Sequence, residues 1–409
     1  MNSFDVFRGP RGRVAAGLVV AEFTAATQSL VVTTVMPKIA ADLHGIALYG
    51  LAYASLFGAS LISMPFAGPL ADRYGVFRVL AIAYALMLLG LAGSMTAPTM
   101  PLFVLARGVE GFAGGLDYVV SVAAIAKLFP EEQRPRMFAW ISAMWVVPGL
   151  IGPGIGALIA ATLGWRFVFA LFVPLVLISA FLVLPALRAM KGVAREGDPL
   201  GAIRVLLLPE TLLLRTTRSI TIASFAFLQA AFFGADAYVT LLLTAIRGFS
   251  LGLAGVCITV AVVGWTVASS LQPYLTKRLG PRGLVACGGF AGAVGLGTLI
   301  AVVLGAPAWL AFAACALNGF GIGLSFATLT MAALAQWPEG SEGTASSATL
   351  VAGTVGSTIG VSLCGLPITF VHAHGDPLAT GLVWTFSIAL ALVLALLALT
   401  RRLPDAANA

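Results

Sequence analysis

Gly68-Pro69-Leu70-Ala71-Asp72-Arg73-Tyr74-Gly75 is followed by Val76, Phe77 and Arg78, and an echo of it stands near 205 residues downstream. The echo reads Pro273-Tyr274-Leu275-Thr276-Lys277-Arg278-Leu279-Gly280-Pro281-Arg282, so Leu70, Arg73 and Gly75 match Leu275, Arg278 and Gly280. Each copy is a short basic loop between two long apolar runs. Two further echoes lie at nearly the same offset. Gly149, Gly152 and Gly156 return as Gly353, Gly356 and Gly360, and Gly111-Phe-Ala-Gly-Gly-Leu116 returns as Gly319-Phe-Gly-Ile-Gly-Leu324. Glycine is common in membrane helices, so one echo carries little. Three at one offset indicate a duplicated unit, a design found in transporters with a binding site near the midplane between halves.

The rest of the chain has the composition that such a reading needs. Of its 409 residues 60% are hydrophobic and only 10% charged, against about 25% charged in soluble domains. A span takes roughly 20 apolar residues, and its backbone must satisfy itself, so each run is a helix. The runs fall at 14–36, 49–69, 79–97, 101–127, 137–162, 167–189, 219–245, 251–275, 284–304, 307–334, 344–370 and 379–399. The expected fold is therefore all-α: twelve transmembrane helices in two pseudo-symmetric six-helix bundles. The expected domains are 1–190, a cytoplasmic linker 191–218 with an apolar stretch that lies on the membrane surface, and 219–409.

The net charge of +7 has a topological explanation. With the N-terminus inside, nineteen of the 23 Lys and Arg residues fall on the cytoplasmic side. Lys38, Arg166 and Arg247 fall outside and Arg107 within a span. This asymmetry predicts a multi-pass protein of the plasma or inner membrane with both termini cytoplasmic, and it accounts for the charge without nucleic acid as a partner. The first apolar run is read as a retained span rather than a cleaved signal. Cys257, Cys287, Cys315 and Cys364 each stand alone in apolar runs, so neither a disulfide framework nor a zinc site is expected. His372 and His374 lack further ligands nearby, and no metal is expected. No phosphate-binding GxxxxGK[ST] loop is present, so the expected coupling agent is the proton, with no cofactor.

The chain resembles the major facilitator superfamily over nearly its whole length, and within it the drug/proton antiporter branch. Gly68 to Gly75 is similar to that superfamily's signature loop. Arg107-Gly-Val-Glu-Gly111 resembles the branch's span-four motif, Gly149-Leu-Ile-Gly152-Pro153-Gly-Ile-Gly156 its span-five antiporter motif, and Gly164-Trp-Arg-Phe167 and Gln28 to Pro37 also fit. Gln28 departs from the branch, which often has Asp there; Glu22 is then the candidate acid of span one. The resemblance implies that Gly68, Asp72, Arg73, Gly75 and Arg78 form a cytoplasmic latch loop. In it Asp72 meets the start of span eleven near Ser341 to Thr344. Arg73 and Arg78 are placed to pair with cytoplasmic acids such as Glu131 or Glu132, and the bland alternative is a basic loop that only sets the topology. The span-five stripe of Gly149, Gly152, Pro153 and Gly156 bares one helix face for a close contact with span eight, ten or eleven; ordinary packing needs the same residues.

Charge inside the membrane carries the functional reading, because it costs at least roughly 2.5–3.5 kcal/mol at the bilayer centre. Glu22, Arg107, Glu110, Asp117 and Asp236 remain once the loops are set aside. Arg107 precedes Glu110 by three residues and is expected to pair with it. Glu110 and Asp117 are seven apart and share a helix face. Glu22, Asp117 and Asp236 are the candidates for proton coupling; the bland alternative is a hydrogen-bonded, permanently protonated acid. Gln28, Ser29, Thr33, Tyr118, Trp145, Gln229, Tyr238 and Asn318 are candidates for the substrate cavity, against the alternative of packing or interhelical glue. A cavity of many apolar groups and few acids suits a small lipophilic or cationic amphiphile. The expected protein is a monomeric exporter in contact with membrane lipids, not an enzyme. A lipid flippase or a proton-coupled symporter is the alternative on the same fold, with a membrane-embedded enzyme more distant.

Overall fold

The computed structural model describes residues 3–8, 11–130, 132–188, 214–337 and 342–403. The linker residues 191–213, Glu131 and Ser341 lie outside them. The described residues form helices and their connections. They are α1 (Gly12–Asp42), α2 (Tyr49–Tyr74), α3 (Val76–Thr96), α4 (Met100–Leu128), α5 (Arg134–Ala143), α6 (Val146–Thr162), α7 (Arg166–Ala170) and α8 (Phe172–Arg188). After the linker come α9 (Thr217–Leu241), α10 (Leu251–Val303), α11 (Leu310–Leu334), α12 (Glu342–His374) and α13 (Leu378–Thr400). α5 with α6, and α7 with α8, each make one crossing interrupted by a short break.

Among the described residues eleven helices are long and apolar enough to cross a membrane, and one of these has 53 residues. That helix, α10, is two crossings fused across Gly280, whose φ of 65° breaks the helical run. Gly75 breaks the chain between α2 and α3 with φ of 87°. The two glycines are the matched residues of the repeated loop, and the left-handed region is where glycine alone is unstrained. Twelve crossings result.

The chain divides into two compact units, Met1–Ile39 with Ser55–Pro199, and Ala40–Ala54 with Leu200–Ala409. In the first, α4 crosses α2 so closely that a methyl group at Gly111 would stand 2.0 Å from the Leu56 carbonyl oxygen, and one at Gly115 2.4 Å from that of Ser60. In the second, α11 crosses the first half of α10 in the same way: the corresponding distances are 1.8 Å from Gly319 to the Ala261 oxygen and 2.5 Å from Gly323 to that of Trp265. The duplication seen in the glycines is thus a duplicated backbone contact. Small residues permit it, since lipid tails supply no hydrophobic force between helices and close packing must hold them.

The span-five stripe finds its partner inside its own unit. Gly149, Gly152, Pro153 and Gly156 are buried, and a methyl at Gly156 would stand 2.4 Å from Val31 of α1. Its echo repeats this, with Gly356 and Gly360 against the Ala226 and Ala230 oxygens of α9. These contacts join spans one and five, and seven and eleven. In the second unit Tyr49 of α2 donates to the Ala237 oxygen at 3.0 Å and lies against the Tyr238 ring at 5.4 Å. Two of the arginines that broke the charge asymmetry cap helix ends: Arg166 donates to the Ala97 oxygen at 3.0 Å and Arg247 to the Ala306 oxygen at 2.8 Å. Carbonyls at a helix C-terminus lack partners within the helix and attract a cation.

Candidate functional site

The first unit holds two polar clusters on α4. The upper one surrounds Glu110, which is fully buried. It accepts hydrogen bonds from Arg107 and Ser94, both at 2.5 Å, and from the Gln28 amide. A buried carboxylate offers about four acceptor positions, and three different helices fill three of them here. Gln28 therefore spends its amide on tying α1 to α4. Gly90 of α3 makes room: a methyl there would stand 2.6 Å from the Glu110 side chain. Buried charge removed from water is costly unless it is paired and hydrogen-bonded, and this one is both.

The lower cluster brings Glu22 and Asp117 within electrostatic reach of each other. Glu22, half-buried on α1, accepts from Trp145 Nε1 at 2.8 Å. Trp145 stands at the break between α5 and α6 and keeps part of its ring exposed. Tyr118 lies beside Glu22 as well. Asp117, half-buried, accepts from Ser121 one turn on at 3.4 Å and abuts the Tyr84 hydroxyl of α3. Two acids, two tyrosines and a tryptophan thus converge from α1, α3, α4 and the α5–α6 break. Ser29 and Thr33 lie elsewhere on α1, where the Thr33 hydroxyl donates to the Ser29 carbonyl at 2.9 Å.

The second unit holds Asp236 on α9. It lines a small cavity with Phe232, Ala235, Val239, Ala261, Cys315 and Asn318, with room for about one water molecule. Asn318 contacts Gly295 as Glu110 contacts Gly90: methyl groups at the two glycines would meet those side chains at 2.9 Å and 2.6 Å. By the repeat, Asn318 is the counterpart of Glu110. Gln229, a candidate for the substrate cavity, is absent from this lining, and its Oε1 is buried without a hydrogen-bond partner among the described residues. Tyr238 is fully buried and donates to the Val361 carbonyl at 3.2 Å, a packing position.

Among the described residues a methyl group at Gly68 or Gly75 would meet nothing within 4 Å, Asp72 is half-buried, and Arg73 and Arg78 are exposed. Arg73 lies over its neighbour Tyr74 at 5.3 Å. Tyr84, Ser94 and Ser179 were not among the expected residues, although each is a polar side chain inside an apolar run, which is the signal that marks them.

The model of the family described as Major Facilitator Superfamily matches residues 18–361. The chain belongs to the major facilitator superfamily. This superfamily member is 24% identical over 413 residues to the multidrug transporter protein MdtP of Bacillus subtilis, covering 87% of this chain and 75% of that one. It is 30% identical over 171 residues to multidrug resistance protein 3 of the same organism, covering 42% of this chain and 33% of that one. The crystal structure of a D-xylose-proton symporter superposes with a TM-score of 0.69 at 19% identity, covering 96% of this chain and 97% of that one. A bacterial homolog of the human lysosomal transporter Spinster, inward-facing and unoccupied, does so with 0.73 at 14% identity, covering 96% of both. The superfamily member is accordingly an integral, multi-pass membrane transporter and not an enzyme.

Proposed function

We propose that this transporter exports lipophilic or cationic amphiphilic compounds in exchange for protons, by alternating access. The observation that carries the reading is the convergence of Glu22 and Asp117 with Tyr118 and Trp145 in the first unit. Two carboxylates at one site repel when both are charged, so the site favours binding either a proton or an organic cation. Competition for that position couples two opposed flows without nucleotide hydrolysis. The aromatic rings offer a face to a cationic amphiphile. Asp236, beside a water-sized cavity in the second unit, is the further proton-binding candidate. The two Bacillus relatives, both multidrug proteins, support the substrate class.

The protein is proposed to sit in the plasma or inner membrane with both termini cytoplasmic, to act as a monomer among lipids, and to need no cofactor beyond the coupling proton and no nucleic acid. The second reading is proton-coupled uptake or lipid flipping, and the superposition on a symporter is what keeps it in view. Reconstituted vesicles distinguish them. Cationic dyes, antibiotics, sugars and labelled lipids are added in turn while the luminal pH is recorded. Antiport moves protons against the flow of cationic dye, and Glu22→Gln, Asp117→Asn and Asp236→Asn are expected to abolish or sharply reduce that movement. Wild-type proton counterflow in all three variants, each shown to be folded, refutes the coupling assignment.

A further inference from the structure

α1 and α8 are joined closely where the first begins and the second ends. A methyl group at Gly17 would stand 2.4 Å from Val183, and the buried Ser179 hydroxyl donates to the Gly17 carbonyl at 2.8 Å. Arg13 stands one turn before Gly17, so this packing holds it beside α8. Its guanidinium carbon lies 5.7 Å from the centre of the Phe181 ring. Both side chains are exposed, the ring at 69%. The span that α7 and α8 form has a mean hydropathy of 2.9, and a ring so exposed on so apolar a span faces lipid. The cation is therefore held at the lipid-facing surface.

Among the described residues no carboxylate pairs with Arg13. Asp5, the acid nearest to it in sequence, is taken by Arg8 at 3.5 Å. A cation–π contact at an exposed position offsets only part of the cost of holding a guanidinium against lipid, so the counterion comes from outside the chain. The surface of α8 says what kind. Pro174, Ile178, Phe181 and Pro185 are exposed and follow one another by four, three and four residues, which places them on one stripe. From Pro174 to Pro185 the stripe is ~16 Å long, and one leaflet of hydrocarbon is ~15 Å deep. Three residues on, the stripe ends at Arg188, which is exposed and without an acid partner among the described residues. Helical side chains lean toward the N-terminus, so Arg188 leans back toward Phe181 and Arg13.

An apolar strip one acyl chain long, ending at two cations, is complementary to an anionic glycerophospholipid. We propose that the α1–α8 surface binds one such lipid, with its phosphate between Arg13 and Arg188 and an acyl chain along Phe181 and Ile178. Guanidinium groups suit the phosphate because their planar forks reach two of its oxygens at once. The site lies within the first unit and does not depend on what the protein carries.

Native mass spectrometry of the purified full chain, titrated with dioleoyl phosphatidylglycerol, tests it. One lipid is expected to bind ahead of the rest, about tenfold or more tighter than dioleoyl phosphatidylcholine. Arg13→Gln and Arg188→Gln each weaken that first binding by about fivefold and the double variant by about 25-fold, the factor that a basic residue near a membrane surface contributes. Arg278→Gln, at an exposed arginine of the second unit, leaves it unchanged. Phosphatidylcholine that binds as tightly as phosphatidylglycerol overturns the proposal. So does first-site affinity that survives in the double variant or falls as far in Arg278→Gln. Displacement of the lipid by inorganic phosphate makes this a site for free anions and overturns the lipid assignment as well. Should Arg13→Gln not fold, the Arg188→Gln titration decides alone. Binding is read without transport, so a failure of the proton coupling leaves the lipid site standing, and the reverse also holds.

Discussion

Replacing Gly319 with alanine tests whether the α10–α11 crossing holds the second unit together. The added methyl stands 1.8 Å from the Ala261 carbonyl oxygen. Ordinary contact begins near 3.4 Å, so α11 must withdraw from α10 by about 1.6 Å or tilt. The obstacle is backbone, which cannot rotate away as a side chain can. Overpacking of this kind costs roughly 1–3 kcal/mol. For a unit of about 200 residues that lowers the unfolding temperature by about 2–12 °C. The buried thiols Cys257, Cys315 and Cys364 provide the readout, since a thiol-reactive dye labels them only on unfolding; exposed Cys287 is first replaced by serine. The control is Gly297→Ala on the same helix pair, where nothing lies within 4 Å. There alanine is expected to leave the transition unchanged or raise it slightly, because glycine in a helix interior is worse than alanine by roughly 0.5–1 kcal/mol. Equal unfolding temperatures for the two variants refute the reasoning.

Gly111→Ala, facing 2.0 Å to the Leu56 oxygen in the first unit, is expected to destabilise by a similar amount, and an unshifted melting temperature, read as the folded fraction surviving on size exclusion after heating, counts against the duplicated contact. Arg107→Met leaves Glu110 buried without its cation, at a cost of about 3–5 kcal/mol; loss of folded protein on size exclusion, relieved when Glu110→Gln is added, is the expected result. Gly75→Ala and Gly280→Ala force a methyl into the left-handed region, costing about 1–2 kcal/mol each, while Gly68→Ala, inside α2 with nothing within 4 Å of the added methyl, is expected to leave the thermal melt unchanged or raise it slightly.

The architecture was legible because its determinants are local. The glycines at 75 and 280 share a backbone conformation, and the glycines at 111 and 319 share a contact, so a repeat in sequence became a repeat in structure. Arg107 and Glu110 are three apart on one helix, and that spacing alone brings them together. The partners of α4 were not legible, because they depend on how α1 and α3 are rotated about their axes. Gln28 reads as a cavity residue until Glu110, buried and rich in acceptors, is seen to take its amide. Glu22 and Asp117 read as separate lone acids, since 95 residues of chain separate two side chains that come within electrostatic reach of each other. Trp145 reaches Glu22 only because span five breaks beside it, and nothing in Ala143-Met144-Trp145 announces that break.

The correspondence between Glu110 and Asn318 has a consequence for how such a molecule can arise. Duplication supplies every position twice, yet one copy of a buried strut suffices to tie its own three helices together. In the first half the inherited position carries a charge fully committed to Arg107, Ser94 and Gln28. In the second the same position holds a neutral amide, released from that duty, and it borders the space next to Asp236. Divergence after doubling has left one half with a fixed brace and the other with an opening.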